Sequence, residues 1–329
     1  MSLYIHALGH AHPATEISNA FLESLDIGTT DAWILERVGI RCRRSVLPLD
    51  YIRETRNRDP RATAEAALET QAALTARAAR MALARAGLEP EDVGLVVCGG
   101  SAPDTSAPAE ACNAARELGI AVPALDIASA CTSLFAQLRL LDGMRDDALP
   151  DFVLALAVDT LTRTVDYEDR STAVLWGDGA AAAVVSSRVP GGARVVEPVL
   201  ASDPAGSDKV VVPRGGHFTQ QGHAVQMFAI KKTAEGVVRL RDGVADPERS
   251  FHFVGHQANL RMLEVVCRQC EIPPDRHHSN VEWYGNTGAA GAASVLSMGW
   301  EKWGAADDVA VVGVGAGLTW GSFLLRFAP

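Results

Sequence analysis

The chain is organised around the stretch Leu125-Asp126-Ile127-Ala128-Ser129-Ala130-Cys131-Thr132-Ser133-Leu134-Phe135-Ala136-Gln137-Leu138. Its apolar start is typical of a β-strand, and small residues then lead into a helical pattern. The only strongly nucleophilic side chain of the stretch, Cys131, lies at that junction. Because a helix N-terminus carries unpaired N–H groups and partial positive charge, a thiol placed there is expected to favour the thiolate.

The composition indicates a globular protein with acidic character. The 329 residues are 48% hydrophobic, and the formal net charge is −10. An excess of acids argues against a nucleic-acid surface, which needs clustered Lys and Arg. The N-terminal residues lack the pattern of a secretory signal, and no apolar run approaches the roughly 18 residues of a membrane span. We expect a cytoplasmic protein that binds neither nucleic acid nor membrane.

The cysteine pattern indicates reduced thiols rather than a disulfide framework. Six cysteines are spread over the chain, and only Cys267 and Cys270 form a Cys-x-x-Cys pair. That pair lies in a helical pattern without a second Cys or His pair at a suitable spacing. The sequence therefore favours the core face of a helix over a metal or redox site, and it predicts no metal.

Alternating strand and helix patterns predict an α/β protein with a parallel sheet. Helices are expected after a cap at Thr30 or Asp31, over residues 63–86 and over residues 108–118. Strands are expected at 3–9, 93–98 and 152–158. The arginine-rich segment 41–60 is expected to be an exposed loop, with a docking patch for an acidic partner as the alternative.

The second half of the sequence repeats the scheme of the first. A strand at 251–256 precedes a helix at 258–270, residues 281–286 lead into a helix at 288–299, and a strand follows at 309–314. This order predicts two duplicated halves, 1–189 and 190–329, with a boundary near the turn at Pro190. Under this duplication, Cys131 and Asn286 occupy equivalent strand-to-helix junctions that face each other across a pseudo-two-fold axis.

Five motifs in a fixed order carry a resemblance to a known family. They are Asp126-Ile127-Ala128-Ser129-Ala130-Cys131, Trp176-Gly177-Asp178-Gly179-Ala180, His256-Gln257-Ala258-Asn259-Leu260-Arg261, Tyr284-Gly285-Asn286-Thr287 and Gly315-Ala316-Gly317-Leu318-Thr319-Trp320-Gly321. The chain resembles β-ketoacyl-acyl carrier protein synthase III, of the thiolase superfamily, from about residue 3 to residue 327. That resemblance implies a thiolase-like fold of two duplicated βαβ halves in a five-layered αβαβα arrangement, a homodimer, and a role in fatty acid or polyketide biosynthesis.

The resemblance also implies the chemistry. Cys131 would take an acyl group from a thioester, with its own N–H and that of Ala316 donating to the tetrahedral oxyanion. His256 and Asn286 would donate to the carbonyl of a malonyl thioester and stabilise the enolate left by decarboxylation. Attack of this enolate on the acylated cysteine gives a β-ketoacyl product. Coenzyme A thioesters serve as substrates, and no cofactor is implied.

Substrate-binding positions follow from the same resemblance. Trp33, Arg37 and Arg170 match residues that hold the coenzyme A nucleotide, with the adenine between the Trp and Arg170. Asn259 matches a pantetheine or catalytic-site contact. Arg261 matches a basic residue that docks an acidic carrier protein.

The chain departs from the family pattern at four places. Ala107 precedes Pro108 where a large aromatic residue normally reaches into the partner's acyl channel, which predicts a wider or differently shaped acyl pocket. Met227 stands where a docking lysine is usual, although Lys231 and Lys232 follow. Thr132-Ser133 and Ala316 replace smaller residues without removing an N–H, and the charged segment 46–62 is longer. These departures favour a specialised pathway.

Three other functions remain open at this point. The acyl group on Cys131 could pass to an alcohol or amine, but relatives that do this usually carry an acid in place of Asn286. A non-decarboxylative union of two acyl chains would need a base such as a glutamate, which the sequence does not identify. The chain could also be a non-catalytic partner subunit. Whether malonyl is carried by coenzyme A or by an acyl carrier protein stays open.

Overall fold

A computed structural model describes residues 2–327. The strands are β1 (Leu3–Ala11), β2 (Thr15–Ser18), β3 (Cys42–Ser45), β4 (Val93–Gly99), β5 (Ala124–Asp126), β6 (Phe152–Thr160), β7 (Asp178–Ser186), β8 (Ala193–Ser202), β9 (Val210–Val211), β10 (Thr219–Gln220), β11 (Ser250–Gly255), β12 (His277–His278), β13 (Asp307–Gly315) and β14 (Thr319–Phe327). The helices are α1 (Asn19–Ser24), α2 (Asp31–Arg37), α3 (Leu49–Thr55), α4 (Thr63–Ala66), α5 (Gln71–Ala86), α6 (Glu110–Leu118), α7 (Ser133–Asp142), α8 (Arg170–Ala173), α9 (Gly222–Gly243), α10 (Leu260–Gln269), α11 (Val281–Tyr284) and α12 (Gly291–Gly299).

The main sheet repeats one pattern twice. Its order is β12-β11-β13-β14-β8-β1-β7-β6-β4-β5. In the first half β4 is parallel to β5 and β6, whereas β7 is antiparallel to β6 and β1. In the second half β11 is parallel to β12 and β13, whereas β14 is antiparallel to β13 and β8. The duplicated thiolase-like topology is confirmed, while the division at residues 189 and 190 stays a prediction.

Three helical layers enclose the two sheet halves. Apolar residues of α7 and α12 share one core cluster with strands of both halves, so these helices form the central layer. Helices α5 and α6 pack on the first half, and α10 packs with α9 on the second. The αβαβα arrangement is therefore confirmed. Helix α5 packs so closely on β1 that a Cβ added at Gly9 would lie 2.0 Å from the Ala78 carbonyl oxygen. Only small side chains fit at such a contact, which explains the many alanines of α5.

Hydrogen bonds join the two sheet halves along one short seam. Leu3, Tyr4 and Ile5 of β1 pair antiparallel with Val195, Arg194 and Ala193 of β8. The seam makes one ten-stranded sheet out of two five-stranded halves.

Two helical predictions near the N-terminus have different outcomes. Thr30 is the N-cap of α2, where its hydroxyl accepts from the Trp33 N–H, as one of the two expected caps. The single helix predicted over 63–86 is wrong, because it is interrupted between α4 and α5. Thr70 caps α5 by accepting from the Ala73 N–H, and the Leu68 N–H donates to Val46. These competing hydrogen bonds explain the break.

The exposed loop predicted at 41–60 is also wrong, because this segment contains β3 and α3. Arg43 is fully buried and donates to the Asn19 side chain and the Val174 carbonyl. Burial lowers its pKa to about 9. Composition alone missed this inward-facing arginine, since the alternation of β3 places only some of its charged side chains toward solvent.

The Cys-x-x-Cys pair, the grouping of metal-ligating side chains and the length of the helices bear on metal and membrane binding. Cys267 and Cys270 are buried at the end of α10, as the sequence predicted. Among residues 2–327, no group of three or more His, Cys, Asp or Glu side chains is arranged to hold a metal ion. No helix in the same range is long and apolar enough to cross a bilayer.

Candidate active site

A cavity of about 220 Å³ lies between the two halves of the chain. Cys131 contributes from the first half, and His256, Asn286 and Ala316 contribute from the second. The structure thus brings together the four positions that the sequence assigned to catalysis. None of the described residues lining the cavity is an aspartate or glutamate.

Cys131 sits in a tight turn between β5 and α7. Ala130 adopts a left-handed backbone conformation with φ of 46°. The Ser133 hydroxyl donates to the Ala130 carbonyl at 2.6 Å and accepts from the Ser129 N–H at 3.0 Å. Side-chain hydrogen bonds therefore hold the turn that presents the thiol to the cavity.

The expected bias of Cys131 toward the thiolate is wrong for this structure. Burial raises the pKa of the thiol well above its ordinary value, and the negative charge of Asp159 raises it further. The backbone N–H of Cys131 acts in the opposite direction but is the smallest of these effects. Desolvation of a charged sulfur outweighs the opposing backbone hydrogen bond, so the raised pKa favours a neutral resting thiol.

The raised pKa predicts a particular alkylation profile. Because the thiolate is the reactive form, the rate of Cys131 alkylation by iodoacetamide should rise about tenfold per pH unit from pH 6 to 9. The measurement is site-resolved mass spectrometry in a Cys112→Ser background, since Cys112 is exposed whereas Cys42, Cys98, Cys267 and Cys270 are buried. A rate that levels off near pH 7 would show instead that α7 stabilises the thiolate.

Asn286 lies in the connection between β12 and α12, which corresponds to the connection between β5 and α7 around Cys131. The expected strand directly before it is wrong, since α11 occupies residues 281–284. The Asn286 N–H donates to Leu175, and its carbonyl accepts from the Gly177 N–H. Its side-chain Oδ1 accepts from the Gly288 N–H at 3.0 Å. The Nδ2 group is thereby left as the donor available to a ligand.

Two buried charged residues hold the Asn286 loop, and the sequence assigned neither of them. Asp159, at the end of β6, accepts from the Ala289 N–H and from the N–H and hydroxyl of Ser101. Burial raises its pKa to about 6. Arg43 lies against the loop on another side, where a Cβ added at Gly285 would come within 2.7 Å of its Cγ. A carboxylate directly after a parallel strand was the only sequence signal for either residue.

His256 follows β11 and is buried. Its backbone is fixed on both sides, because its N–H donates to Val312 and its carbonyl accepts from the Ala258 N–H. Burial lowers the pKa of the imidazole to about 4, so the ring is neutral near pH 7. A neutral imidazole carries one N–H donor and one acceptor nitrogen.

Ala316 lies in the turn between β13 and β14, directly beside the Cys131 turn. A Cβ added at the neighbouring Gly315 would lie 3.3 Å from the backbone nitrogens of Cys131 and Thr132. Such close approach brings backbone groups of both halves to the reacting sulfur. The predicted pairing of the Cys131 and Ala316 N–H groups as an oxyanion hole is compatible with this contact and stays a prediction.

The predicted substrate-binding residues divide into three groups, of which two are close to the cavity or to coenzyme A in the predicted arrangement. Arg37 and Asn259 line the cavity, and Asn259 also caps α10 by accepting from the Met262 N–H. The Arg170 guanidinium lies over the Trp33 ring, 5.0 Å from its centroid. Their roles toward coenzyme A stay predictions.

Arg261 and Ala107 are not among the residues lining this cavity. Arg261 donates to the Leu35 carbonyl and pairs with Glu264, so it ties α10 to α2. Ala107 is exposed at the surface of this chain. The predicted parts of these two residues in carrier docking and in the partner's acyl channel stay predictions.

Sequence comparisons find extensive similarity to one enzyme family. The family model of 3-oxoacyl-(acyl-carrier-protein) synthase III matches residues 125–204, and that of its C-terminal part matches residues 245–327. The β-ketoacyl-(acyl-carrier-protein) synthase III of Sphingopyxis alaskensis is 33% identical, with 97% of each chain covered. That of Cereibacter sphaeroides is 31% identical, with 98% of each chain covered.

Solved structures agree with the sequence comparisons. The 3-oxoacyl-(acyl carrier protein) synthase III of Pseudomonas aeruginosa superimposes with a TM-score of 0.83 at 31% identity, covering 100% of this chain and 99% of its own. The enzyme of Aquifex aeolicus gives a TM-score of 0.86 at 28% identity, covering 99% and 100%. The priming β-ketosynthase of a polyketide pathway gives 0.80 at 27% identity, covering 99% and 97%.

Proposed function

The chain belongs to the 3-oxoacyl-(acyl-carrier-protein) synthase III family, and from that premise we propose how its site performs a decarboxylative Claisen condensation. The protein is an acyltransferase that joins an acyl starter to a malonyl unit and forms a β-ketoacyl product. The observation that supports our assignment of roles is the arrangement of Asn286. Its Oδ1 is occupied by the Gly288 N–H, which leaves the Nδ2 donor for the cavity that holds Cys131.

Acyl loading is the first step. The sulfur of Cys131 attacks the carbonyl carbon of an acyl thioester, and the N–H groups of Cys131 and Ala316 donate to the oxyanion. Collapse of the intermediate forms the new thioester and breaks the old one. The proton of the Cys131 thiol leaves with the departing thiol, so the step is neutral overall. Neutral His256 has an acceptor nitrogen that can relay this proton.

Decarboxylation follows with a malonyl thioester in place of the departed thiol. The carbon–carboxylate bond breaks, carbon dioxide leaves, and the electron pair becomes an enolate on the thioester oxygen. Asn286 and His256 donate to that oxygen, and each such donor is worth roughly 3–4 kcal/mol in the transition state. The enolate carbon then attacks the acyl group on Cys131. The product is released as the cysteine sulfur leaves as a thiolate, which takes a proton from water to restore the thiol; this is the one proton that the overall condensation consumes.

The first test of this mechanism is product formation. Purified protein supplied with malonyl-coenzyme A or malonyl-carrier protein and a panel of acyl-coenzyme A donors should release carbon dioxide and form a β-keto thioester. Separate assays with the two malonyl carriers determine which one the enzyme uses. Absence of both products with every donor would refute the proposed function.

Acyl transfer to an alcohol or amine is the second candidate function. The sequence resemblance associates such a reaction with an acidic residue in place of Asn286, and none of the described cavity-lining residues carries a carboxylate. The buried carboxylate of Asp159 is engaged by Ser101 and Ala289 outside that lining. The same feature disfavours a non-decarboxylative condensation, whereas the complete set of Cys131, His256 and Asn286 disfavours a non-catalytic subunit.

We propose that Trp33 and Arg170 bind the nucleotide of coenzyme A. Adenine stacking on the indole, with the guanidinium as the second face, uses the existing contact between the two side chains. Trp33→Ala should raise KM for the acyl-coenzyme A donor about tenfold and leave kcat nearly unchanged. The matched control is Trp283→Ala, because Trp283 is an exposed tryptophan under Arg41 that does not line the cavity. Equal changes in both variants would contradict the assignment.

The expected carrier-docking surface differs in part from the family pattern. Met227 is 56% exposed where a lysine is expected. Lys232 lies over the Trp320 ring and pairs with Glu235, and Arg261 is bonded to Leu35 and Glu264. Internal contacts thus occupy two of the basic side chains that would attract an acidic carrier. These contacts support malonyl-coenzyme A as a substrate to test beside malonyl-carrier protein.

We propose a homodimer that forms along β5. Among residues 2–327, β5 pairs only with β4 and so ends the main sheet, with Leu125 45% exposed. An open edge with an apolar side chain favours pairing with a second copy. Leu125→Glu should convert a dimer into a monomer in sedimentation-velocity experiments, whereas Met227→Glu, on the exposed face of α9, should not. A monomeric wild-type protein would contradict the proposal.

The cytoplasm remains our proposed location. All six cysteines are free, which suits a reducing compartment.

A further inference from the structure

Two threonine hydroxyls connect the halves of the molecule beside the nucleophile. Thr132 directly follows Cys131 and is fully buried, and Thr319 begins β14 in the other half. Their Oγ1 atoms are 2.8 Å apart. The contact therefore joins the Cys131 turn directly to the start of β14.

Each hydroxyl is also bonded to its own segment. Thr132 Oγ1 lies 2.7 Å from the Ser129 carbonyl oxygen and 2.9 Å from the Ser129 hydroxyl, within the turn that presents Cys131. Thr319 Oγ1 donates to the Ala316 carbonyl at 3.0 Å. Because each hydroxyl carries one proton, the continuous chain has the Ser129 hydroxyl donating to Thr132, Thr132 donating to Thr319, and Thr319 donating to the Ala316 carbonyl, while the Ser129 carbonyl accepts from the Thr132 N–H.

This chain matters because the two expected oxyanion donors come from different halves. An oxyanion hole works when both N–H groups lie about 2.7–3.1 Å from the oxygen of the tetrahedral intermediate. The segments meet at Gly315, which has no side chain to fix their separation. We propose that Thr132 and Thr319 are positioning residues that set the spacing of the Cys131 and Ala316 N–H donors. This inference rests on the proposed function.

A role in oxyanion spacing makes a selective prediction. Acyl loading passes through a tetrahedral oxyanion, whereas alkylation of the same thiol by iodoacetamide does not. Thr132→Val should therefore slow acyl loading about 10- to 100-fold. Its alkylation rate should stay within about threefold of the parent rate, because the thiol, its burial and Asp159 are unchanged.

The valine variant is suited to the test because it has nearly the shape of threonine. After the change, the Ser129 carbonyl keeps the Thr132-position N–H as a donor at 2.9 Å, and Thr319 keeps the Ala316 carbonyl as an acceptor. The half-buried Ser129 hydroxyl loses its Thr132 partner, whereas the Ser129 and Ala316 carbonyls keep theirs. Thr132→Ser retains the hydroxyl and should restore loading. Thr319→Val should reproduce the defect, and the double variant should be less than multiplicatively worse.

The experiment measures both reactions in a Cys112→Ser background by intact mass. The acyl donor is the coenzyme A thioester that loads the parent protein fastest in the panel. Slow loading with preserved alkylation in Thr132→Val, and rescue in Thr132→Ser, would support the inference. If Thr132→Val loads at the parent rate, or if both reactions slow equally, the inference is wrong while the proposed function stands. If the parent protein loads no donor, the proposed function fails and this inference fails with it.

Discussion

Cys131→Ala should abolish acyl loading and lower condensation by about 10⁴-fold or more, because the sulfur forms the covalent intermediate. The alanine methyl group fits the space of the thiol, and the turn keeps its hydrogen bonds through Ser129 and Ser133. The loss is therefore expected without a change in fold. Intact mass after incubation with mixed acyl-coenzyme A donors measures loading directly, and the adduct mass on the parent protein identifies the starter.

The matched control is Cys112→Ser, which removes an exposed thiol on α6 and should load at the parent rate. Persistence of the acyl adduct in Cys131→Ala would assign the nucleophile to another residue. Loss of loading in Cys112→Ser would have the same consequence.

Asn286→Ala has the second large expected effect, and it separates the two half-reactions. Acyl loading should stay within about threefold of the parent rate, while malonyl decarboxylation and condensation should fall about 10²–10³-fold with the loss of one donor to the enolate. Carbon dioxide release from malonyl thioester by the pre-acylated enzyme is the measurement.

Asn286→Asp separates the role of the Nδ2 group as a hydrogen-bond donor from the role of the side-chain oxygen in holding the loop. The aspartate keeps an oxygen to accept from the Gly288 N–H, so the loop is retained, but it cannot donate and places a negative charge near the enolate. Condensation should fall at least as far as in Asn286→Ala, while loading persists. Equal loss of loading and condensation in both variants would contradict the division of roles between Cys131 and Asn286.

Much of the site could be predicted because residue types and the order of strands and helices can be read from the sequence before any geometry is known. The duplicated pattern placed Cys131 and Asn286 in equivalent connections, and the structure brings both into one cavity with His256. The helix of Cys267 and Cys270 followed from periodicity alone. Such features depend on local pattern and topology, which sequence carries directly.

Other features depend on contacts between distant segments and could not be predicted. Asp159 accepts from Ser101 in its own half and from Ala289 in the other half, and its charge helps to raise the pKa of Cys131. The burial of Arg43 depends on Asn19 and Val174. Desolvation is set by the whole surrounding protein, so the helix-terminus argument for a thiolate considered only one of several opposing effects.

The left-handed backbone at Ala130 has a consequence for protein engineering. An L-residue in this conformation costs about 1 kcal/mol relative to a favoured one, and glycine would avoid the cost. A search for thermostabilising glycine substitutions would therefore select this position early. Ala130→Gly would also make the backbone before Cys131 more flexible and so position the thiol less well. Selection for a higher melting temperature would therefore favour glycine at this position, whereas selection for turnover would favour alanine.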